Sequence, residues 1–269
     1  MSRRRGVGGA VGLVLVFLAV AAARPGAPPA LPAAPPLPWA PGQSLTRDAT
    51  TVSLTSASTR RVIFSPQEFI LQLAPVRVPG QGRRLLVLTA EQFRGGHFLR
   101  SHLYLLDPDH PSAAVRLSPQ PEYNFWDLSG GDVEGDGVQE VALCTWSHTA
   151  RDPRTERRFF VYGWTPPGDL YPRWRGSRLC RPYLWARLRD VQGDGRAELV
   201  SVETALDGAQ VLVAYRWNQF GFWGLGKSPE YRSITVQDAP GPGVRATVIT
   251  PEGRREEKLF RLGQDALVP

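Results

Sequence analysis

Short apolar segments alternate along this chain with polar, glycine-rich stretches, and one such combination occurs twice. The segments VALCTW (141–146) and LVSVET (199–204) are rich in the branched and aromatic residues that buried strands favour. Each follows directly on an acidic, glycine-rich stretch, DVEGDGVQE (132–140) or DVQGDGRAE (190–198). Because an internal repeat outweighs any local pattern, the sequence predicts two copies of one structural unit.

The two copies also share their flanks. Trp126 and Trp185 lie upstream of the acidic stretch, within one position of each other when the copies are aligned. Downstream, RFFVYGW (158–164) corresponds to VLVAYRW (211–217). The repeated unit is therefore longer than the acidic stretch and contains at least two further strands.

Two degenerate copies bring the expected number of units to about four. One begins at Val78 and keeps the glycines and the strand, but Gln81 and Leu85 replace the central Asp and the final Glu. A fainter copy covers residues 242–250. Aromatic residues at equivalent points are spaced by 58, 53 and 45 residues, which suits one four-stranded propeller blade per unit. These aromatic residues are Tyr104, Tyr162, Tyr215 and Phe260.

Burial explains why such units repeat. A small antiparallel sheet cannot cover its own apolar faces, whereas sheets that stand side by side cover one another. Glycine and proline, 27 and 25 of 269 residues, interrupt the chain too often for long helices. The hydrophobic content of 42% indicates a folded chain rather than a disordered one. The sequence predicts an all-β, propeller-like array of about four four-stranded blades over residues 46–269.

The pattern D-x-x-G-D-G-x-x-E followed by an apolar strand resembles the FG-GAP and VCBS-like repeats found in the β-propellers of integrin α-chains and of many exported bacterial proteins. The resemblance covers about residues 60–265 and is specific in two units. It implies a β-propeller, but propellers of this family usually have seven blades. A small closed propeller, an open arc and a ring completed by another subunit are therefore all open, and the oligomeric state is not predicted.

The N-terminus predicts export. MSRRR is followed by an apolar run from Val7 to Val20 and then by three alanines, the pattern of a signal peptide (1–23) cleaved after Ala23. Gly6 to Ala23 also reaches the lower length limit for spanning a bilayer, so an uncleaved anchor is the alternative and the only expected contact with a membrane. Residues 24–45 are rich in proline and alanine and are expected to form an extended spacer or a leader without a role.

The acidic stretches are candidate calcium sites. Ca²⁺ takes six to eight oxygen ligands, and a short loop with oxygens at positions 1, 3, 5, 7 and 9 can wrap around it. In the second stretch Gln192 replaces a carboxylate, which predicts a weaker site. The alternative interpretation is a tight turn without metal, in which the Asp side chains accept backbone N–H groups. The candidate ligands are Asp132, Glu134, Asp136, the Val138 carbonyl and Glu140, and then Asp190, Gln192, Asp194, the Arg196 carbonyl and Glu198.

Charge and cysteine content leave further alternatives open. Ten arginines lie between Arg151 and Arg189 and could face an anionic glycan or cell-wall polymer, or simply cover a solvated surface. Nucleic acid is not an expected partner outside the cell. Cys144 and Cys180 are the only cysteines, and an exported protein permits a disulfide between them, although Cys144 also suits a buried strand.

No catalytic motif is present in the sequence. The G-x-S-x-G, H-E-x-x-H, Walker and C-x-x-C patterns are all absent, and the four histidines lack metal-ligand spacing. The favoured hypothesis is an exported, non-enzymatic domain that binds a protein or glycan at the cell surface. The alternatives are a propeller-based polysaccharide hydrolase or lyase, which a carboxylate and histidine cluster away from the repeat loops would favour, and a membrane-tethered structural or sensory domain.

Overall fold

The computed structural model describes residues 35–94, 97–117, 124–149, 152–166, 168–176, 179–239, 241–263 and 266–269. Five four-stranded antiparallel sheets account for the regular structure, and no α-helix occurs in these ranges. The all-β prediction is therefore confirmed. The expected signal peptide (1–23) and residues 24–34 of the expected spacer lie outside the described residues. Within the described ranges, no helix has the length and apolar character needed to cross a membrane.

Each sheet is a meander in which strands consecutive in the chain pair with each other. The first sheet contains β1 (Leu37–Pro38), β2 (Ser44–Arg47), β3 (Val52–Thr55) and β4 (Arg60–Phe64). The second contains β5 (Phe69–Val78), β6 (Gly82–Arg94), β7 (His97–Leu106) and β8 (Val115–Leu117), with a 3₁₀ turn at Pro111–Ala113. The third contains β9 (Asn124–Gly131), β10 (Glu140–Thr149), β11 (Asp152–Trp164) and β12 (Leu170–Arg175).

The last two sheets follow the same plan. The fourth contains β13 (Tyr183–Arg189), β14 (Glu198–Thr204), β15 (Gln210–Trp217) and β16 (Phe222–Lys227). The fifth contains β17 (Ser233–Val236), β18 (Val244–Ile249), β19 (Arg255–Leu262) and β20 (Leu267–Val268). The aromatic residues expected at equivalent points all lie on the third strand of their sheets, which confirms the repeated unit. They are Tyr104, Tyr162, Tyr215 and Phe260.

The expected number of about four sheets is wrong, because the chain forms a fifth sheet ahead of the unit at Val78. The sheet made by residues 37–64 carries no acidic hairpin, and its first strand has only two residues. Its strands are also short, at two to five residues each. The features that identify the other units are therefore missing from it.

The sheet structure also begins earlier than the expected boundary at residue 46. Trp39 and Leu45, both within the expected spacer (24–45), are buried in the core between the first two sheets. The Arg83 guanidinium lies 4.5 Å from the centre of the Trp39 ring and donates to the Pro38 carbonyl over 3.1 Å. Residues from Leu37 onward therefore belong to the folded part, because a large aromatic side chain in this proline-rich segment packs on the second sheet.

In the described part of the chain the core consists of four apolar clusters, one between each pair of sheets that follow each other in the chain. Tyr162 and Phe125 are fully buried between the second and third sheets. Leu199 and Phe159 occupy the same kind of position between the third and fourth. Each sheet therefore uses its neighbours to cover its apolar faces, as the repeat argument requires.

Candidate functional site

The two acidic stretches form hairpin loops at the same place in successive sheets. Residues 132–139 connect the first and second strands of the third sheet, and residues 190–197 connect those of the fourth. Gly135 and Gly137 adopt positive φ values of 77° and 85° in the first loop, and Gly193 and Gly195 adopt 76° and 86° in the second. The repeated sequence therefore folds into a repeated backbone, in which glycine permits the left-handed conformation.

The first Asp of each hairpin binds the backbone of its own loop. Asp132 accepts from the N–H groups of Gly135 and Asp136 through Oδ1, over 2.6 and 3.2 Å, and from Gly137 through Oδ2, over 2.7 Å. Asp190 repeats this pattern with the residues at the same three positions, over 2.6, 3.2 and 2.9 Å. Both oxygens of each carboxylate are thus used to close the turn.

The last Glu of each hairpin is buried. Glu140 is 1% exposed and Glu198 is 0% exposed. Glu140 accepts from the Val133 N–H through Oε2 over 3.0 Å, and Glu198 accepts from the Val191 N–H over the same distance. Burial raises the pKa of the Glu140 carboxyl above its usual value. These glutamates therefore fasten the start of each loop to the strand that follows it.

An arginine from the same sheet pairs with the carboxylates of each hairpin. Arg173 on β12 pairs with Glu140 and, over 2.7 Å, with Glu134. In the fourth sheet Arg216 on β15 donates to Glu198 through Nε over 3.2 Å and to Asp194 through Nη2 over 3.2 Å. A strand of the same sheet thus supplies a positive charge to each acidic loop.

Three of the remaining candidate ligands, Glu134, Asp136 and Asp194, also contact the protein. Asp136 and Asp194 accept the backbone N–H groups of Val138 and Arg196, over 2.9 and 3.0 Å. Glu134 also accepts from the Trp217 indole over 3.3 Å. The contacts of the Asp side chains with backbone N–H groups are those expected of a tight turn that holds no metal. The calcium assignment stays a prediction, because a carboxylate that accepts N–H groups can also be a ligand.

Each hairpin also binds the next sheet. The Asp132 carbonyl accepts from the Ala197 N–H over 2.6 Å, and the Val191 carbonyl accepts from the Gly243 N–H over 2.9 Å. A Cβ on Gly131 would lie 2.7 Å from the Ala197 Cβ, so only glycine permits this close approach of the third and fourth sheets. The repeat loops therefore form connections between sheets.

A second group of titratable residues lies on the second sheet, away from these hairpins. Among the described residues, ligand atoms of three Glu, Asp, His or Cys side chains come within 4.8 Å of one another at Glu68, Glu91 and His102. His102 Nε2 lies 2.7 Å from Glu91 and 3.9 Å from Glu68. The sequence patterns gave no indication of this cluster, because the pairing of β6 with both β5 and β7 brings its members together.

The groups of this cluster also pair with its surroundings. Tyr104 donates its hydroxyl proton to Glu68 over 3.0 Å, and burial together with this bond raises its pKa to about 12. Thr89 donates to the other Glu68 oxygen, and Arg116 lies against the His102 ring. The arrangement is a hydrogen-bonded network in which carboxylate, imidazole, hydroxyl and guanidinium groups satisfy one another.

An ionic cluster joins residues of the first four sheets with Asp238, which follows β17 of the fifth, and we call it the axial cluster. Arg187 on β13 donates to both oxygens of Asp127 on β9, over 3.1 and 2.9 Å, and to Asp238 after β17 over 2.5 Å. The Gln72 amide of β5, with its oxygen turned inward, accepts from Arg187 Nη1 over 3.2 Å. Arg47 of β2 donates to the Ile70 carbonyl over 3.4 Å. The axial cluster comprises Arg47, Gln72, Asp127, Arg187 and Asp238.

Charge interactions hold the axial cluster together. Burial alone would lower the pKa of the Arg187 guanidinium, but the charges of Asp127 and Asp238 raise it above the usual value. Burial lowers the pKa of Arg47, and repulsion from Arg187 lowers it further. Arg187 is therefore the residue whose charge the surrounding carboxylates stabilise.

Most arginines of the segment 151–189 contact the protein itself. Arg157 donates to the Tyr183 carbonyl over 2.9 Å and lies 5.2 Å from the centre of the Trp146 ring. Arg158 is buried and donates to the Ser147 carbonyl over 3.1 Å. Further arginines of this segment paired with carboxylates are Arg154, Arg173, Arg181 and Arg187. These positions give little support to a continuous surface for an anionic polymer.

Two cavities that share two lining residues lie beside β15 and β16 of the fourth sheet, and we call them together the aromatic groove. One cavity, of about 240 Å³, is lined by Trp174, Phe220, Phe222 and Trp223. The other, of about 400 Å³, is lined by Arg181, Glu203 and Lys227. Cys180 and Tyr215 line both.

The residues that line the aromatic groove differ in exposure. Phe220 is 90% exposed and Trp223 66% exposed. Glu203 is fully buried, and its Oε1 accepts from Ser201 over 2.8 Å and from Tyr215 over 2.5 Å. Burial raises the pKa of Glu203. The groove thus combines exposed aromatic rings with buried polar groups, as ligand pockets commonly do.

The two cysteines are both free. Cys144 is buried in β10, and its thiol lies 3.5 Å from the Ala186 carbonyl, whereas Cys180 is exposed. Burial raises the pKa of the Cys144 thiol well above its usual value. The disulfide that the sequence left open is therefore not formed in this structure.

A scan against protein-family models finds no match to the chain, and a search of curated proteins finds no match either. The resemblance to FG-GAP and VCBS-like repeats stays a prediction that rests on the sequence pattern alone.

Proposed function

We propose that this chain is an exported, non-enzymatic repeat domain that binds a protein or a glycan at the cell surface, and that the aromatic groove is its binding surface. The observation that carries the proposal is the exposure of Phe220 and Trp223 beside a cavity. Large aromatic side chains at the rim of a concave surface are typical of ligand sites, because burying them on binding is favourable.

A propeller-like arrangement of five blades is part of this proposal. It is supported by the axial cluster, since side chains from four successive sheets and from the segment after β17 of the fifth meet there. In β-propellers the blades surround a central channel, so one region receives residues from every blade. Such a frame holds its surface loops in fixed positions, which lowers the entropy lost on binding.

The proposal that this protein is exported rests on its N-terminal sequence. Three arginines, an apolar run and three alanines precede the proline-rich segment, in the order of a signal peptide. A role without catalysis is supported by the absence of catalytic motifs from the sequence. The cluster at Glu68, Glu91 and His102 is the feature that a hydrolase or lyase would use, but its groups are already paired with Thr89, Tyr104 and Arg116.

Calcium binding to the two acidic hairpins is a further part of the proposal. We expect millimolar Ca²⁺ to raise the melting temperature of the full chain, because an ion bound only by the folded state stabilises it. The double variant Asp132→Ala/Asp190→Ala should lose this rise. Calorimetry with calcium and with magnesium measures it, and Asp207→Ala, on an unrelated turn, is the control. If calcium raises the melting temperature of the double variant as much as that of the parent chain, these hairpins do not bind calcium.

The binding function is tested with isolated envelopes of the producing cell. The full exported chain should sediment with them, and Phe220→Ser/Trp223→Ser should reduce the bound fraction roughly tenfold, because hot-spot aromatic residues carry much of the binding energy. Leu206→Ser is the matched control, since Leu206 is fully exposed but does not line the groove. If the chain does not bind, or if the double variant binds like the control, the proposed function is wrong.

A further inference from the structure

Glu68, Glu91 and His102 lie where the first two sheets meet, and we call these three residues the junction cluster. Glu68 belongs to the short connection between β4 and β5, whereas Glu91 is on β6 and His102 on β7. Strand alternation puts His102 on the same face as Tyr104, whose ring packs on Phe64 of the first sheet with centroids 5.0 Å apart. The junction cluster therefore brings together three separate segments of the chain.

His102 Nε2 is at the centre of the junction cluster. It lies 2.7 Å from a Glu91 oxygen and 3.9 Å from a Glu68 oxygen, and ligand atoms of all three side chains come within 4.8 Å of one another. Nitrogen and oxygen ligands lie about 2.0–2.2 Å from a zinc ion, and so roughly 3–4 Å from one another. Small side-chain adjustments therefore bring the three atoms to ligand positions around one ion.

The hydrogen bonds of Glu68 are compatible with a metal ion. Tyr104 donates to one of its oxygens over 3.0 Å, and Thr89 donates to the other. A carboxylate has about four lone-pair sites, so each oxygen keeps one for a further partner. Carboxylates that bind a metal are usually held by hydrogen bonds of this kind, which fix their orientation. The two hydroxyl groups therefore position Glu68 as a ligand.

The junction cluster is open to solvent on the side of Glu91. The exposed fraction of the side chain is 36% for Glu91, 15% for Glu68 and 9% for His102. Two exposed arginines lie beside them: Arg100 donates to Glu91 over 3.3 Å, and Arg116 contacts the His102 ring. Because exposed ion pairs contribute little free energy, these arginines can turn into water when a divalent ion takes their place.

The ligand types select among metal ions. Ca²⁺ takes six to eight oxygen ligands, whereas imidazole suits zinc, copper, iron and nickel. One imidazole and two carboxylates are three protein ligands, the number found at zinc sites that keep one position for water. We propose that Glu68, Glu91 and His102 bind a divalent transition-metal ion, of which zinc fits best, and that the ion ties the β4–β5 connection to the β6–β7 hairpin.

Titration of the full chain with zinc, after treatment with a chelator that is then dialysed away, tests this site. Calorimetry should detect one zinc ion per chain that excess calcium does not displace. The same ion should raise the melting temperature, because it binds the folded state only. Asp132→Ala/Asp190→Ala should bind zinc like the parent chain, since the acidic hairpins are not part of the junction cluster.

Two variants remove ligands with little change of shape. His102→Gln and Glu91→Gln should each weaken zinc binding at least about tenfold. His110→Gln is the matched control, because His110 also lies beside a carboxylate, 3.2 Å from Asp107, but its side chain is 79% exposed and it is outside the junction cluster. The control should bind zinc like the parent chain, and circular dichroism checks that each variant is folded.

A third variant should strengthen the site. Arg116→Gln removes a positive charge that lies against the imidazole ligand, so it should tighten zinc binding severalfold. Arg116 is exposed, and surface substitutions of this kind change stability little. If a ligand variant does not fold, the result for Arg116→Gln decides.

Zinc binding that the ligand variants weaken and Arg116→Gln strengthens supports the metal site. The inference is wrong if the parent chain binds no zinc at micromolar concentration, if His110→Gln loses as much affinity as His102→Gln, or if Arg116→Gln leaves the affinity unchanged. Loss of zinc binding in Asp132→Ala/Asp190→Ala would place the ion at the acidic hairpins and would also contradict it. The proposed binding function does not depend on these outcomes, because its own test uses the aromatic groove.

Discussion

Replacing Arg187 by methionine is expected to lower the free energy of unfolding by about 3–5 kcal/mol, because it leaves a buried carboxylate without its counter-charge. Asp127 is 10% exposed at its side chain and receives two hydrogen bonds from this one guanidinium. Methionine has a similar length, so the packing changes little. Urea unfolding followed by tryptophan fluorescence measures the loss.

Two further variants separate the ionic effect from a packing effect. Arg187→Met combined with Asp127→Leu should recover part of the loss, since replacing both members of a buried pair by apolar groups is often close to neutral. Asp238 would remain, but its side chain is 50% exposed and stays hydrated. Arg175→Met, at an exposed position, should cost less than about 0.5 kcal/mol. If Arg187→Met costs no more than this control, the axial cluster does not hold the sheets together.

The repeated sheets could be predicted from the sequence because their signals are local. An apolar strand after a glycine turn is specified by neighbouring residues, and its repetition at Val141 and Leu199 is visible without a fold. The third-strand aromatic residues Tyr162 and Tyr215 follow from the same alignment, and both are buried as expected of core residues. The first sheet lacks these local signals, so its strands were not predicted.

The residue clusters could not be predicted, because they depend on how distant strands pair and pack. Arg187 and Asp127 are 60 residues apart and meet only when the third and fourth sheets stand side by side. His102 and Glu91 meet because β7 turns back on β6. Composition identifies these side chains as charged or titratable, whereas the register of the strands decides which of them become neighbours.

The acidic hairpins show a different limit of prediction. Their residue pattern suits two arrangements, a turn closed by N–H groups and a loop that wraps an ion. The sequence pattern does not tell the carboxylates of each stretch apart by burial, but the fold does. Asp194 has a side chain that is 41% exposed, whereas Glu198 lies in the interior. A structural role for the buried residue can therefore be tested separately from metal binding.

Glu198→Ala is expected to lower the free energy of unfolding by about 2–4 kcal/mol, because the buried Val191 N–H loses the carboxylate oxygen that accepts it at 3.0 Å and Arg216 loses a charged partner. Glu198→Gln keeps an acceptor for both groups and should cost about half as much. Asp194→Ala is the matched control, since Asp194 contacts the same arginine but is exposed, and it should cost about 0.5–1 kcal/mol. Urea unfolding measures all three.

Urea unfolding in the presence of a calcium chelator decides whether Glu198 acts as a calcium ligand or as a structural residue of the hairpin. A residue that acts only as a calcium ligand contributes nothing once the ion is removed from both proteins, so its replacement would then have no effect on stability. A residue that fastens the hairpin to β14 contributes the same amount with or without the ion. We expect the cost of Glu198→Ala to persist in the chelator, and equal stability of parent and variant under that condition would contradict the structural role of this buried carboxylate.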